Sequence, residues 1–188
     1  MSRFTASDAV PRFAEVTHRQ WIAAAPETVR AQFADLEHHI RANVHPKLRF
    51  ELLERRGACA RFVQEVRLLG LRQRDVFERS IGDDGSIDDV SVEEFNRGGR
   101  ISIRFAPERV DGVAGTSVAI NVKLPLPPVI GPLVRPLLEA QIRKEVRAAA
   151  LEDKADLEER GYPSRLRGAA AACGGRSRLR WPRRTSTW

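Results

Sequence analysis

Between residues 47 and 124 the apolar side chains fall on alternate positions, and glycine-containing breaks cut the region into strand-length pieces. The pieces read KLRFELLERR, ACARFVQEVRLL, LRQRDVFERSI, SIDDVSVEEFN, RISIRFAPERV and TSVAINVKL. They are separated at Gly57, at Gly70, at GDDG (82–85), at RGG (97–99) and at DGVAG (111–115). Parallel neighbours need crossovers of about a dozen residues or more, and these separators are too short. The region therefore predicts an antiparallel meander of hairpins.

Segments of other character bracket the meander. Upstream, RFAEVTHRQWI (12–22) is β-rich and partly alternating, which adds a seventh strand. Pro26 then suits the first turn of a helix, where its missing N–H costs no bond. Val29, Phe33, Leu36, Ile40 and Val44 recur at steps of three and four, and Pro46 disfavours helical geometry at His45 and closes the segment. Downstream, LVRPLLEAQIRKEVRAAALEDKADLEER consists largely of strong helix formers, with Gly161 to stop it. Val134, Leu138, Ile142 and Val146 make a stripe flanked by Leu133 and Leu137, and the only large surface able to cover it is the sheet. The predicted class is α+β.

A length of 188 residues with 42% hydrophobic and 30% charged residues fits one globular domain. The formal charge of +7 suggests a nucleic-acid partner until it is located along the chain. Residues 164–188 hold seven arginines and no acid, so the body of the chain is neutral and the basic character belongs to its end. The predicted organisation is an N-terminal extension (1–11), a globular domain (12–163) and a disordered Arg/Ala/Gly-rich tail (164–188). Two readings of the tail stay open, a basic extension and read-through in a shifted frame. Cys59 and Cys173 lie in dissimilar contexts, which argues against a structural disulfide. No apolar run reaches the roughly 18 residues of a membrane span, and MSRFTASDAV lacks the apolar region of a secretory signal, so a cytoplasmic location is expected.

Three stretches carry a resemblance. WIAAAPETVRAQFADLEHHI fits the pattern I-x-A-x-P-E-x-V-x-x-x-F-x-D of a first strand entering a helix. RFAPERVDGVAGTSVAINVKL resembles a penultimate hairpin, and GPLVRPLLEAQIRKEVRAAALEDKADLEER resembles a closing helix. Over about residues 13–162 the chain is similar to the START-like, or SRPBCC, superfamily, whose members include the birch pollen allergen and polyketide cyclase/dehydrase groups. The resemblance implies the helix-grip fold: a curved seven-stranded antiparallel sheet wrapped around a long C-terminal helix, with two short helices after the first strand. It also implies a cleft between sheet and helix, and it implies no cofactor, because the superfamily shares a cavity and not a reaction.

Inward positions in that cleft are expected from the alternation at Leu48, Phe50, Leu52, Phe62, Val66, Phe77, Val90 and Val92. The same alternation adds Ile101, Ile103, Phe105, Val118, Ile120 and Val122. Their helical counterparts are Phe33, Ile40, Leu138 and Ile142. The ligand-binding candidates among them are Phe33, Ile40, Phe50, Phe62, Phe77, Ile103, Phe105, Ile120, Leu138 and Ile142. Arg72, Arg74 and Arg79 are expected to pair across strands with Asp88, Asp89, Glu93 and Glu94 on the solvent face. An inward arginine anchoring a ligand anion would be Arg61 or Arg104.

HHIRANVHP (38–46) holds three of the four histidines. In a continuous helix His38 and His45 share a face but stand about 10.5 Å apart along the axis, and the i, i+4 spacing of helical metal pairs is absent. No metal site is expected. The resemblance implies a break near residues 35–37 that could turn His39 or His45 to the cavity rim, where an imidazole can act as acid or base. The functional expectation is binding of a hydrophobic or aromatic small molecule (lipid, isoprenoid or polyketide-like) as carrier or sensor. The alternative is a polyketide cyclase/dehydrase-type enzyme with His39 or His45 as its general acid/base. Neither sequence-specific nucleic-acid binding nor a transmembrane segment is expected, and nothing in the sequence indicates an oligomeric state.

Overall fold

The computed structural model describes residues 13–126 and 130–162. The expected extension (1–11) and tail (164–188) lie outside the described residues. In chain order the elements are β1 (Phe13–Ile22), α1 (Pro26–Ala34), α2 (Leu36–Arg41), β2 (Arg49–Arg56) and β3 (Cys59–Leu68). There follow β4 (Leu71–Ile81), β5 (Ile87–Glu94), β6 (Arg100–Val110), β7 (Val113–Pro125) and α3 (Gly131–Glu158). The strands form one antiparallel sheet in the order β1-β7-β6-β5-β4-β3-β2. Consecutive strands from β2 to β7 are neighbours, and the first strand extends the sheet by pairing with the last, so that β1 and β2 form its edges. No helix among the described residues is long and apolar enough to cross a membrane.

Local chemistry accounts for the boundaries. The β3–β4 turn at Leu69-Gly70 and the β6–β7 turn at Asp111-Gly112 both place two successive residues at positive φ, the backbone of a two-residue turn matched to strand twist. The DGVAG segment is thus not a loop throughout, because its last three residues already pair in β7. Gly115 belongs there for a steric reason: a Cβ would stand 2.4 Å from the Ile22 carbonyl oxygen. Asp35 ends α1 and begins α2, its Oδ1 accepting the His38 backbone N–H at 2.9 Å. Asn43 at φ 48 then turns the chain back before β2.

The main core gathers β1, β6 and β7 with the buried sides of α1 and α3, including Val16, Val29, Phe33, Ile120, Leu138 and Ile142. A smaller cluster of Leu36, Ala60, Phe62 and Phe77 lies under β2–β4, with the Phe62 and Phe77 rings stacked at 5.7 Å. On α3 the stripe of Leu138 and Ile142 is buried as expected, whereas the flanking Leu133 and Leu137 are exposed.

Three expectations need correction. In β5 the buried side chains are Ile87, Asp89 and Ser91, not Val90 and Val92. The strand is turned over relative to its valines because Asp89 pairs with Arg79 directly opposite, inside the fold. Ile40 is 39% exposed, because the break at Asp35 ends the helical stripe at Leu36 and α2 presents His39 inward instead. Cys59 is not a free thiol, against the expectation of no structural disulfide; Cys173 lies outside the described residues.

Candidate functional site

A cavity of about 170 Å³ lies between the concave face of the sheet and α3, with α1, α2 and the segment after α2 along one side. Of the expected ligand-binding residues, Phe33, Phe50, Phe77, Ile103, Ile120 and Ile142 line it. Phe62, Phe105 and Leu138 pack in the core without lining the cavity, and Ile40 is displaced to the surface. His39 and His45 both line the cavity, and both are buried.

The two histidines meet because the helical segment is broken. After α2 the chain reverses through Asn43, and the His45 ring stacks on that of His39 with centroids 5.2 Å apart. The continuous-helix spacing that set them apart therefore does not apply. Asp153 comes from α3 at the buried stripe position between Ala150 and Leu157, at helical steps of three and four. Its Oδ1 lies 3.2 Å from His39 Nε2, 3.3 Å from His45 Nε2 and 3.1 Å from Gln32 Nε2. His39 Nδ1 donates to the Asp35 carbonyl oxygen at 2.7 Å, and His45 Nδ1 donates to Glu152 Oε2 at 3.0 Å. A second layer joins His38 Nε2 and Gln32 Nε2 to Asp156 Oδ2, at 2.8 and 3.2 Å.

Burial and charge act in opposite directions here. Burial alone would raise the Asp153 pKa, but the His45 and His39 rings beside it hold the carboxyl well below the usual carboxylate range. Burial likewise works to lower the His45 pKa, and the nearby Asp153 and Glu152 carboxylates outweigh it, so the ring titrates above its ordinary value. A charged imidazole next to an ionised acid is the protonated state of this cluster.

The sheet supplies a second polar group. Arg79 in β4 makes two hydrogen bonds of 2.8 Å to Asp89 in β5 and a third, of 3.0 Å, to the Phe33 carbonyl oxygen. Both residues are buried and line the cavity, so the expected cross-strand pairing holds but its face is reversed. At the surface Arg72 pairs with Glu65 at 3.2 Å, outside the expected set of acids, whereas Arg74 reaches the expected Glu94 at 3.7 Å and Glu65 at 3.9 Å. Arg104 instead pairs with Asp88 at the surface, and Arg61 pairs with Glu93; neither lines the cavity. Nearby, Asp75 accepts the backbone N–H and the side-chain amide of Asn96, at 2.7 and 2.6 Å. The sequence did contain the signal for Arg79, since an inward Phe77 puts Asp75 and Arg79 on the same face by strand alternation. Asp153 could be found in the same way from the step following Ile142, Val146 and Ala150.

No family model matches the chain, and no curated protein matches it. Solved structures do. A protein from Thermus thermophilus is 24% identical with a TM-score of 0.64, over 77% of this chain and 99% of that one. The Zhui aromatase/cyclase of a Streptomyces species is 17% identical with a TM-score of 0.62, over 81% of this chain and all of that one. A START superfamily protein from Mycobacterium smegmatis is 17% identical with a TM-score of 0.59, over 76% and 97%. These identities speak for architecture alone, and with the strand order and the long closing helix they show that the chain has the START-like, helix-grip fold.

Proposed function

We propose that the chain binds a compact aromatic or alicyclic molecule in the cavity between sheet and α3, as a carrier or sensor. The carrying observation is the cavity itself, which is mainly apolar and whose Arg79, Asp89, Asp75 and Asn96 side chains already have partners within the protein. Size narrows the ligand: an apolar cavity of about 150 Å³ takes a molecule the size of benzene, so about 170 Å³ suits one ring or two small fused rings. A long-chain lipid would require the cleft to open.

The likeness to an aromatase/cyclase favours the enzyme alternative. Against it, all four ring nitrogens of His39 and His45 face protein oxygen atoms, so proton exchange with a ligand would first require those contacts to break. Binding without transformation needs no such step.

The test is calorimetric titration with phenol, indole and 2-naphthol, alongside an Ile103→Trp variant that fills the cavity. We expect saturable binding of at least one compound, and its loss in the variant with the fold retained by circular dichroism. Absence of binding by all three, or undiminished binding by the variant, would overturn the reading.

A further inference from the structure

We infer that His39, His45 and Asp153 form a binding site for a divalent first-row transition metal ion, with open coordination positions toward the cavity. The reasoning begins with the hydrogens. The Asp35 carbonyl oxygen can only accept, so His39 Nδ1 must carry the proton of that 2.7 Å contact. Glu152 fixes the proton of His45 in the same way, on Nδ1. Each neutral ring therefore presents a lone pair at Nε2, and both lone pairs are aimed at the same atom, Asp153 Oδ1. In the charged cluster a ring proton lies among these three atoms; with both rings neutral, three electron-rich atoms converge in a buried place, and a metal ion can take the proton's position.

The distances suit such an ion. Metal–ligand bonds of about 2.0–2.1 Å in tetrahedral geometry separate neighbouring ligand atoms by about 3.3 Å. The two edges to Asp153 Oδ1 measure 3.2 and 3.3 Å. One donor atom from each of the three residues lies within 4.8 Å of the other two, and the two rings stand stacked beside each other.

The supporting contacts are those of metal-binding histidines, which hand their other N–H to a carbonyl or carboxylate to fix tautomer and direction. Here one ring uses a carbonyl and the other a carboxylate. Gln32 holds the Asp153 carboxylate from behind, donating to Asp153 and Asp156 together. Two imidazoles and one carboxylate select zinc, iron or nickel over the all-oxygen preference of magnesium or calcium. All three donors line the cavity, so the remaining positions of the ion would accept an oxygen atom of a bound molecule.

The test uses the full chain free of any affinity tag, loaded with Zn²⁺ and then with Co²⁺. We expect one ion per chain, and affinity lower by about a hundredfold or more in His45→Ala and Asp153→Asn. We expect no loss in His38→Ala, because His38 serves Asp156 and not the ion. Should either ligand variant fail to fold, histidine-ring nitrogen NMR of the unaltered chain decides. Zinc should then shift the Nε2 signals of two of the four rings and leave their Nδ1 protons in place. No stoichiometric uptake by folded protein, a dependence on His38, or shifts at other rings would overturn the inference. Because zinc alone is the probe, this result is independent of whether the cavity takes a ring-shaped ligand.

Discussion

Removing the Asp89 carboxylate leaves the Arg79 guanidinium buried among Phe33, Phe62 and the cavity wall with its charge uncompensated. Asp89→Ala should therefore lose about 3–5 kcal/mol of stability, while replacing Arg79 and Asp89 together by Met and Leu should recover most of it. Urea unfolding of the three proteins checks this, and a double replacement no better than the single one would contradict it. At the other end of the site the Tyr162 hydroxyl bonds Asp35 Oδ2 at 3.0 Å. Burial, and then the Asp35 carboxylate, push its pKa up. Below pH about 10 both folded and unfolded chains keep the phenol proton, and the contribution is whole. Above that the unfolded chain ionises first, so stability falls as pH rises. Tyr162 is the only tyrosine, so tyrosinate absorbance should appear only as the fold is lost, and Tyr162→Phe should flatten the alkaline decline. These residues were the least legible in the sequence. A buried acid and a solvated acid look alike until something opposite them is known, which is why Asp89 was expected on the solvent face and Asp153 was not singled out.

Elements were easier to read, since periodicity reports on many residues at once. The break at Asp35 was legible through family resemblance, whereas its consequence for His39 and Ile40 depended on an angle between two short helices that no spacing encodes. In β5 the valines and Asp89 occupy opposite faces of the strand, and a single ion pair with β4 decides which face turns inward. One turn retains local strain. Leu69 sits at φ 52 in the β3–β4 hairpin, where a leucine side chain crowds the backbone. Leu69→Asn should raise stability by about 1 kcal/mol, as read by the urea midpoint, because asparagine adopts that conformation readily. A fall in stability would mean that the side chain contributes more by packing than the turn loses by strain.

At the scale of the whole molecule, the order of strands and the long closing helix were legible because short hairpin connections leave an antiparallel sheet few alternatives. The cavity was expected as a place, but its volume and its polar groups were not. Both depend on how far α3 stands from the sheet. The pairing of the first strand with the last has a further, temporal consequence. Strand β1 pairs Phe13 with Pro125 and Ile22 with Thr116, so the first strand made must wait for the last. Such distant pairings fold slowly, and on the ribosome β1 stays unpartnered until β7 has emerged. His39 and His45 wait longer still, for Asp153 beyond it. A nascent chain halted before α3 would hold both imidazoles with nothing to draw them together, so the joined trio marks the end of assembly.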